Sequence, residues 1–318
     1  MTRLYLRGEN DRDLESRHLD SYPGRISERA AVAVAFGLPM RAEIGLSRAG
    51  MNHSMKTRVW PPRTPAGLIA AFALVSLVAS AAETPAKATG AAKLPSAADV
   101  VAKYLKAVGG REAVLKHTST RLKGTWEMPA QSANGEFELL QAKPNKRVMH
   151  LKLGSMGEIV NGYDGKAGWV TSPFAPPALI EGKMLDQTRD EAEYYAILHN
   201  PTNYRSLETV ARTQFDNREC LELKLVTKSG REVREFYDAK TGLLAGVRGT
   251  QETPQGSSEM VMTCLEYQKF GDLQQVAKLK IGSDQGELTI RITSVEYDTV
   301  SDPELEPPAE IKALLKKP

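Results

Sequence analysis

Catalysis needs reactive side chains brought together, and the spacing of such residues along this chain offers little of that. Three of its histidines, His117, His150 and His199, follow residue 81. They stand far apart and outside any His-Glu-x-x-His pair, so the two-histidine helical face of a zinc hydrolase is missing. No Gly-x-Ser-x-Gly elbow and no Gly-x-x-x-x-Gly-Lys-Ser/Thr loop occurs, which removes the usual frames for a serine nucleophile and for a nucleotide phosphate. Glu136 and Glu138, like Glu232 and Glu235, lie in segments where apolar and polar residues alternate, and that alternation assigns them to solvent. Two cysteines, Cys220 and Cys264, are too few for a disulfide framework or a four-thiolate zinc site. These residues predict no catalytic group, no cofactor and no metal.

The remaining chemistry is apolar. Trp126, Met128, Phe137, Leu139, Met149, Leu151 and Trp169 are candidates to line a cavity between a curved sheet and its helices. Phe174-Ala175-Pro176-Pro177-Ala178-Leu179-Ile180 reads as a hydrophobic loop, with Phe174, Leu179 and Ile180 as candidates for a lid. Apolar surface of this kind costs solvation unless it packs on something. The alternative use of the same residues is an ordinary core with a packed loop over it.

Those side chains must be carried by strands. From Ser119 the hydrophobic period changes from about 3.6 to 2: Leu122, Trp126 and Met128 alternate with Arg121, Lys123 and Glu127, and Phe137 and Leu139 with Glu136 and Glu138. Met149, Leu151 and Leu153 repeat the pattern, and Glu158 to Tyr163 and Ala167 to Thr171 flank the turn Asp164-Gly165. Further strands are predicted around Leu221 to Leu225, Val233 to Tyr237, Leu243 to Thr250, Met260 to Tyr267, Val276 to Ile281 and Leu288 to Ile292. Ahead of them, Ser96 caps a helix carrying Val100, Val101, Tyr104, Leu105 and Val108, which Gly109-Gly110 ends. Arg111 to His117 adds a helical segment, and a helix is predicted from near Lys183 to Leu198, stopped by Asn200-Pro201. Glu310 to Lys316 is a short terminal helix or tail. The fold class is α+β: a large antiparallel sheet of about ten or eleven strands with two or three helices. In such a meander the strands of Cys220 and Cys264 have two others between them. That places the cysteines roughly three spacings of about 4.8 Å apart, too far to bridge, and predicts two buried free thiols.

The chain has 318 residues, with 42 Lys and Arg against 39 Asp and Glu. A formal charge of +3 gives nucleic acid no polycation to grip. At 41% hydrophobic and 25% charged residues the composition excludes wholesale disorder and a polytopic membrane protein. Usage changes along the chain. Residues 1–50 hold eight arginines and no lysine, whereas 20 lysines and 11 arginines follow Ala82. Residues 1–54 therefore read as upstream sequence from an early start, with a disordered prefix as the alternative. Residues 55–81 have the parts of a secretory signal: Lys56, Arg58 and Arg63, an apolar run from Ala66 to Val78, and the small residues Ala79-Ser80-Ala81. That run is shorter than the roughly 20 residues of a membrane-spanning helix, so a cleavable leader is preferred over a permanent anchor. Residues 82–95 form a linker, and the domain runs from 96 to 318. Export to an oxidising compartment follows, with no stable membrane insertion of the mature chain.

Five stretches carry a family likeness: Lys103-Tyr104-Leu105-Lys106-Ala107-Val108-Gly109-Gly110-Arg111-Glu112-Ala113; Gly162-Tyr163-Asp164-Gly165-Lys166-Ala167-Gly168-Trp169; Glu235-Phe236-Tyr237-Asp238-Ala239-Lys240-Thr241-Gly242-Leu243-Leu244; and, near the end, Ile292-Thr293-Ser294-Val295-Glu296-Tyr297-Asp298 with Pro307-Pro308-Ala309-Glu310-Ile311-Lys312. Together they resemble bacterial outer-membrane lipoprotein-sorting proteins of the LolA/LolB-like superfamily, over essentially all of Ser96 to Lys317. The resemblance implies a large curved antiparallel sheet, an incomplete β-barrel or half-barrel around a hydrophobic cavity with the helices closing its mouth, that holds lipid acyl chains in the periplasm. Its partners would be a lipid or an acylated lipoprotein. No arginine here matches the one that latches the lid in the carrier, so no gating residue is carried over. The expected function is a non-catalytic carrier for a lipophilic ligand. The alternative is an envelope interaction module that docks a partner protein through a sheet edge or the apolar loop.

Overall fold

The computed structural model describes residues 93–316, apart from 255, 284 and 285. The readings for residues 1–54 and 55–81, and nearly all of the linker, lie outside the described residues.

Ser96 caps helix α1 (Ala97–Val108) in a reciprocal box with Asp99, each accepting the other's backbone amide at 3.2 Å. Gly109, at φ 127°, ends the helix where a Cβ would come 2.8 Å from the Asp272 carbonyl oxygen, so only glycine fits. After helix α2 (Arg111–Lys116) the chain enters six strands: β1 (Ser119–Met128), β2 (Ala133–Ala142), β3 (Lys146–Lys152), β4 (Glu158–Tyr163), β5 (Gly168–Ser172) and β6 (Ala175–Ile180). Helix α3 (Gly182–Glu191) and two 3-10 turns lead to seven more: β7 (Tyr204–Phe215), β8 (Arg218–Thr227), β9 (Glu232–Asp238), β10 (Leu244–Thr253), β11 (Gly256–Phe270), β12 (Leu273–Ser283) and β13 (Gly286–Tyr297). Helix α4 (Ala309–Leu315) follows a short 3-10 turn.

All thirteen strands form one antiparallel sheet, ordered β6-β5-β4-β3-β2-β1-β13-β12-β11-β10-β9-β8-β7. Two meanders, β1–β6 and β7–β13, thus meet at the β1–β13 seam. The edge strands β6 and β7 do not pair, so the sheet is curved but open. This is the α+β sheet that the sequence predicts, with two strands more.

Both extra strands are edges. The stretch Phe174 to Ile180, expected as a loop, is for the most part strand β6, paired with β5 through Trp169–Leu179 and Val170–Ala178. Pro176 and Pro177 mislead because proline donates no amide, yet an edge strand tolerates them where the ladder is broken, as it is between the Val170–Ala178 and Ser172–Ala175 pairs. Strand β7 was not foreseen: it buries only Phe215 fully, so its alternation is faint. The expected helix to Leu198 also stops early. α3 ends at Glu191, and the chain then turns so that Tyr194 donates its amide to the Pro144 carbonyl and Tyr195 its hydroxyl to the His117 carbonyl. A continued helix would instead tie the Tyr194 amide to the carbonyl of Asp190.

Cys220 lies on β8 and Cys264 on β11, with β9 and β10 between, and both are buried free thiols. Burial pushes both thiols up, Cys264 to about 11, which keeps them protonated and unreactive.

Candidate functional site

Residues directly opposite in an antiparallel ladder point to the same side, so one face can be traced across the whole sheet. From β8 it passes through Leu223, Glu235, Val247, Met262, Ile281 and Leu288. Ile290, two residues beyond Leu288, carries it to Trp126 and Gly135, and Phe137 then leads to Leu151 and Ile159. Helix α1 covers one end of this inner face through Val101, Tyr104 and Leu105, packed with Leu221, Leu223 and Tyr237. Helix α3 crosses the middle, because the chain must pass from one edge of the sheet to the other.

Beneath α3 lies a cavity of ≈ 260 Å³. Met128, Met149 and Met260 from the sheet and Met184 from the helix face it, together with Val170, Ile180, Leu288 and Ile290. Unbranched thioethers repack easily around a guest of variable shape. Its polar lining includes Arg147 and Asn161 on one side and Gln187, Glu191, Arg231 and Glu252 on the other. The buried Gln187 ties α3 to the sheet by accepting the Glu252 amide at 2.8 Å. Arg231 reaches Asp190 of α3 only at 3.8 Å. A larger groove, ≈ 770 Å³, opens between α1 and β7, with Lys106, Arg111 and Arg205 at its rim.

The seven cavity candidates divide three ways. Met128 and Met149 line the cavity beneath α3. Trp126, Phe137 and Leu151 share the inner face but fill a solid core with Leu153, Ile159 and Val170, and Leu139 packs against it. Trp126 is 1% exposed and lies so close to Gly135 that a Cβ there would strike its indole. Trp169 belongs to the opposite face, a correction to the sequence reading. It lies over Gly162 and packs with Leu140, Val148, Leu305 and Ile311. The cause is strand parity: in β5 Val170 points inward, so Trp169 points outward. The three lid candidates part in the same way. Phe174 packs on the inner core, Ile180 lines the cavity, and Leu179 sits outside with Trp169.

Sequence reasoning missed a buried polar cluster on the same inner face. His199 Nε2 lies 2.7 Å from Glu235 Oε2, which also accepts the Tyr237 hydroxyl at 2.6 Å, and His199 Nδ1 is 3.0 Å from the Ile197 carbonyl. Glu235 is therefore not on the solvent face. Burial would push His199 down and Glu235 up. Their mutual charge wins in both cases, holding His199 above and Glu235 below its ordinary value. A second cluster sets His117 between Asp298 and Asp272, both at 2.8 Å, with its ring stacked on Tyr297. His117 is thus held by two carboxylates, and His199 by one, with the Tyr237 hydroxyl also 3.3 Å from its Nε2. Among the described residues no group of three His, Cys, Asp or Glu side chains is disposed to hold a metal ion.

No family model matches the chain, and no curated protein sequence matches it. Solved structures do. A LolA superfamily protein from Nitrosomonas europaea is 10% identical at a TM-score of 0.47, covering 67% of this chain and 99% of its own. A DUF1329 family protein from Desulfovibrio piger is 13% identical at 0.46, covering 66% of this chain and 95% of its own. The likeness is one of fold.

Proposed function

We propose that the protein is a non-catalytic carrier or binding protein for a lipophilic ligand, a lipid or lipoprotein acyl chain, held on the inner face beneath α3. The observation that carries this reading is the methionine-lined cavity, roofed by a helix whose polar ties to the sheet are few: the Gln187–Glu252 amide bond, a Ser229–Asp190 hydrogen bond at 3.2 Å, a contact of Arg189 with Tyr163 and a long Arg231–Asp190 ion pair. Such a roof can lift without unfolding the sheet. Residues 55–81 supply the export signal of a periplasmic protein, and a role in outer-membrane lipoprotein sorting is the finer form of the proposal. The rival reading, an interaction module docking a partner through the apolar segment, is less well supported, because Pro176 and Pro177 deprive β6 of amides for a new strand.

The test is binding of a fluorescent fatty-acid probe to the mature protein. Met149→Asp should weaken binding by at least tenfold while Tm falls only modestly, since this partly buried position borders the cavity. Absence of binding by every acyl probe would defeat the proposal. Trp126 is unsuitable for this test, because a charge in the solid core unfolds the protein.

A further inference from the structure

Of the partly buried arginines among the described residues, Arg121, Arg218, Arg231 and Arg234 each have a carboxylate in ion-pair range. Arg147 has none. It sits on β3 opposite Tyr163, inside the lining of the cavity beneath α3. Its guanidinium donates to Asn161 Oδ1 at 3.2 Å and points its other terminal nitrogen at the Met149 sulfur, a weak acceptor, at 3.8 Å. Glu191 and Glu252 also line the cavity, but neither forms an ion pair with Arg147. Its sequence neighbour Lys146 shows the ordinary solution, an ion pair at 2.8 Å with Asp302.

A half-buried guanidinium beside methionines loses hydration without gaining a counter-ion, which is costly unless an anion completes it. Its planar fork matches a carboxylate or phosphate in bidentate fashion, and Asn161 still has its amide hydrogens to donate. We propose that Arg147 and Asn161 form the head-group subsite of the cavity, and that the ligand is a single-chain amphiphile with an anionic head. The inference rests on the carrier reading and narrows it. The head lies against β3, and the tail runs beneath α3 between Met128, Met184, Met260 and Ile290. At ~30 Å³ per water-sized group, ≈ 260 Å³ admits a tail of medium length.

Titration calorimetry of the mature protein with decanoate, decyl phosphate and neutral decanol tests this. The wild type should bind one or both anions at least tenfold more tightly than decanol, as expected of a hydrogen bond to a charged group. Arg147→Met should abolish that preference, whereas Arg147→Lys should keep part of it. The two anions differ only in telling carboxylate from phosphate. Equal binding of all three chains by the wild type would overturn the head-group subsite and leave the carrier standing. That comparison needs no variant, so it decides the matter even if Arg147→Met fails to fold. Binding of none would overturn both.

Discussion

His199 and Glu235 are 36 residues apart in sequence and 2.7 Å apart in space, and their pairing makes stability depend on pH. The raised pKa of His199 contributes stability that is complete below the unfolded value of about 6.5 and is lost as pH rises through the folded one. The lowered pKa of Glu235 contributes stability that is present above about 4.5 and is lost as pH falls. His117 is raised in the same sense, its two aspartates outweighing burial, and Asp298 is pulled down to about 2 mainly by its bond to His117. Tm should therefore plateau between about pH 4.5 and 6.5 and decline above. His199→Gln, which still hydrogen-bonds but does not titrate, should flatten the alkaline limb; an unchanged limb would show that this pair does not set it. Glu235→Ala strands the histidine and should cost about 3–5 kcal/mol in chemical denaturation. Glu136→Ala, at a solvent-facing pair with Lys152, should cost about 0–1 kcal/mol. Alternation alone put these glutamates in one class, and the difference between them was still readable. Glu232 and Glu235 are three residues apart, an odd step, so a regular strand must send them to opposite faces. What no spacing could show was the partner, because His199 reaches the strand through a turn whose path depends on tertiary contacts.

Strands with one wet and one dry face were readable because burial writes period two into them, whereas the two edges have little to bury. Strand β7 also carries bulges between Tyr204 and Ser206 and between Thr209 and Ala211, which break its register and shield it from edge-to-edge pairing. The prolines of β6 do the same at the other edge, so Pro176→Thr with Pro177→Thr should increase self-association in light scattering without lowering Tm appreciably. Unaltered scattering would show that the prolines protect nothing. The start of α3 near Lys183 was legible, but its end was not, since tyrosine contacts beyond the helix decide it. Its hold on the sheet yields a sharper expectation. Gln187→Ala removes the acceptor of the Glu252 amide and should cost about 1–3 kcal/mol locally. Amide exchange across Met184 to Glu191 should then accelerate while β1 and β2 stay protected, and acyl-probe association should quicken. Unchanged exchange in α3 would mean that the helix is held elsewhere and does not move as a roof.

At the level of the molecule, each terminal helix packs on the meander that its own end of the chain does not build. Helix α1 precedes β1 but covers β8, β9 and the start of β12, while α4 follows β13 and closes the outer face of β2, β3 and β5. The two meanders share the β1–β13 ladder, so these crossings add a second pair of ties between them. Nothing in the sequence shows this exchange, because amphipathic periodicity marks an apolar face without naming the surface it meets. Ile311 of α4 is fully buried with Leu305 against Leu140, Val148 and Trp169. Ile311→Ala should cost about 2–5 kcal/mol through lost burial and the cavity left behind. The loss should not be uniform. Hydrogen exchange should rise in β3 to β5, whose outer face loses its cover, while β8 and β9 beneath α1 keep their protection. An equal rise in both meanders would instead mean that the β1–β13 ladder couples the thirteen strands into one cooperative unit, with α4 a fastening of the whole sheet and not of one half.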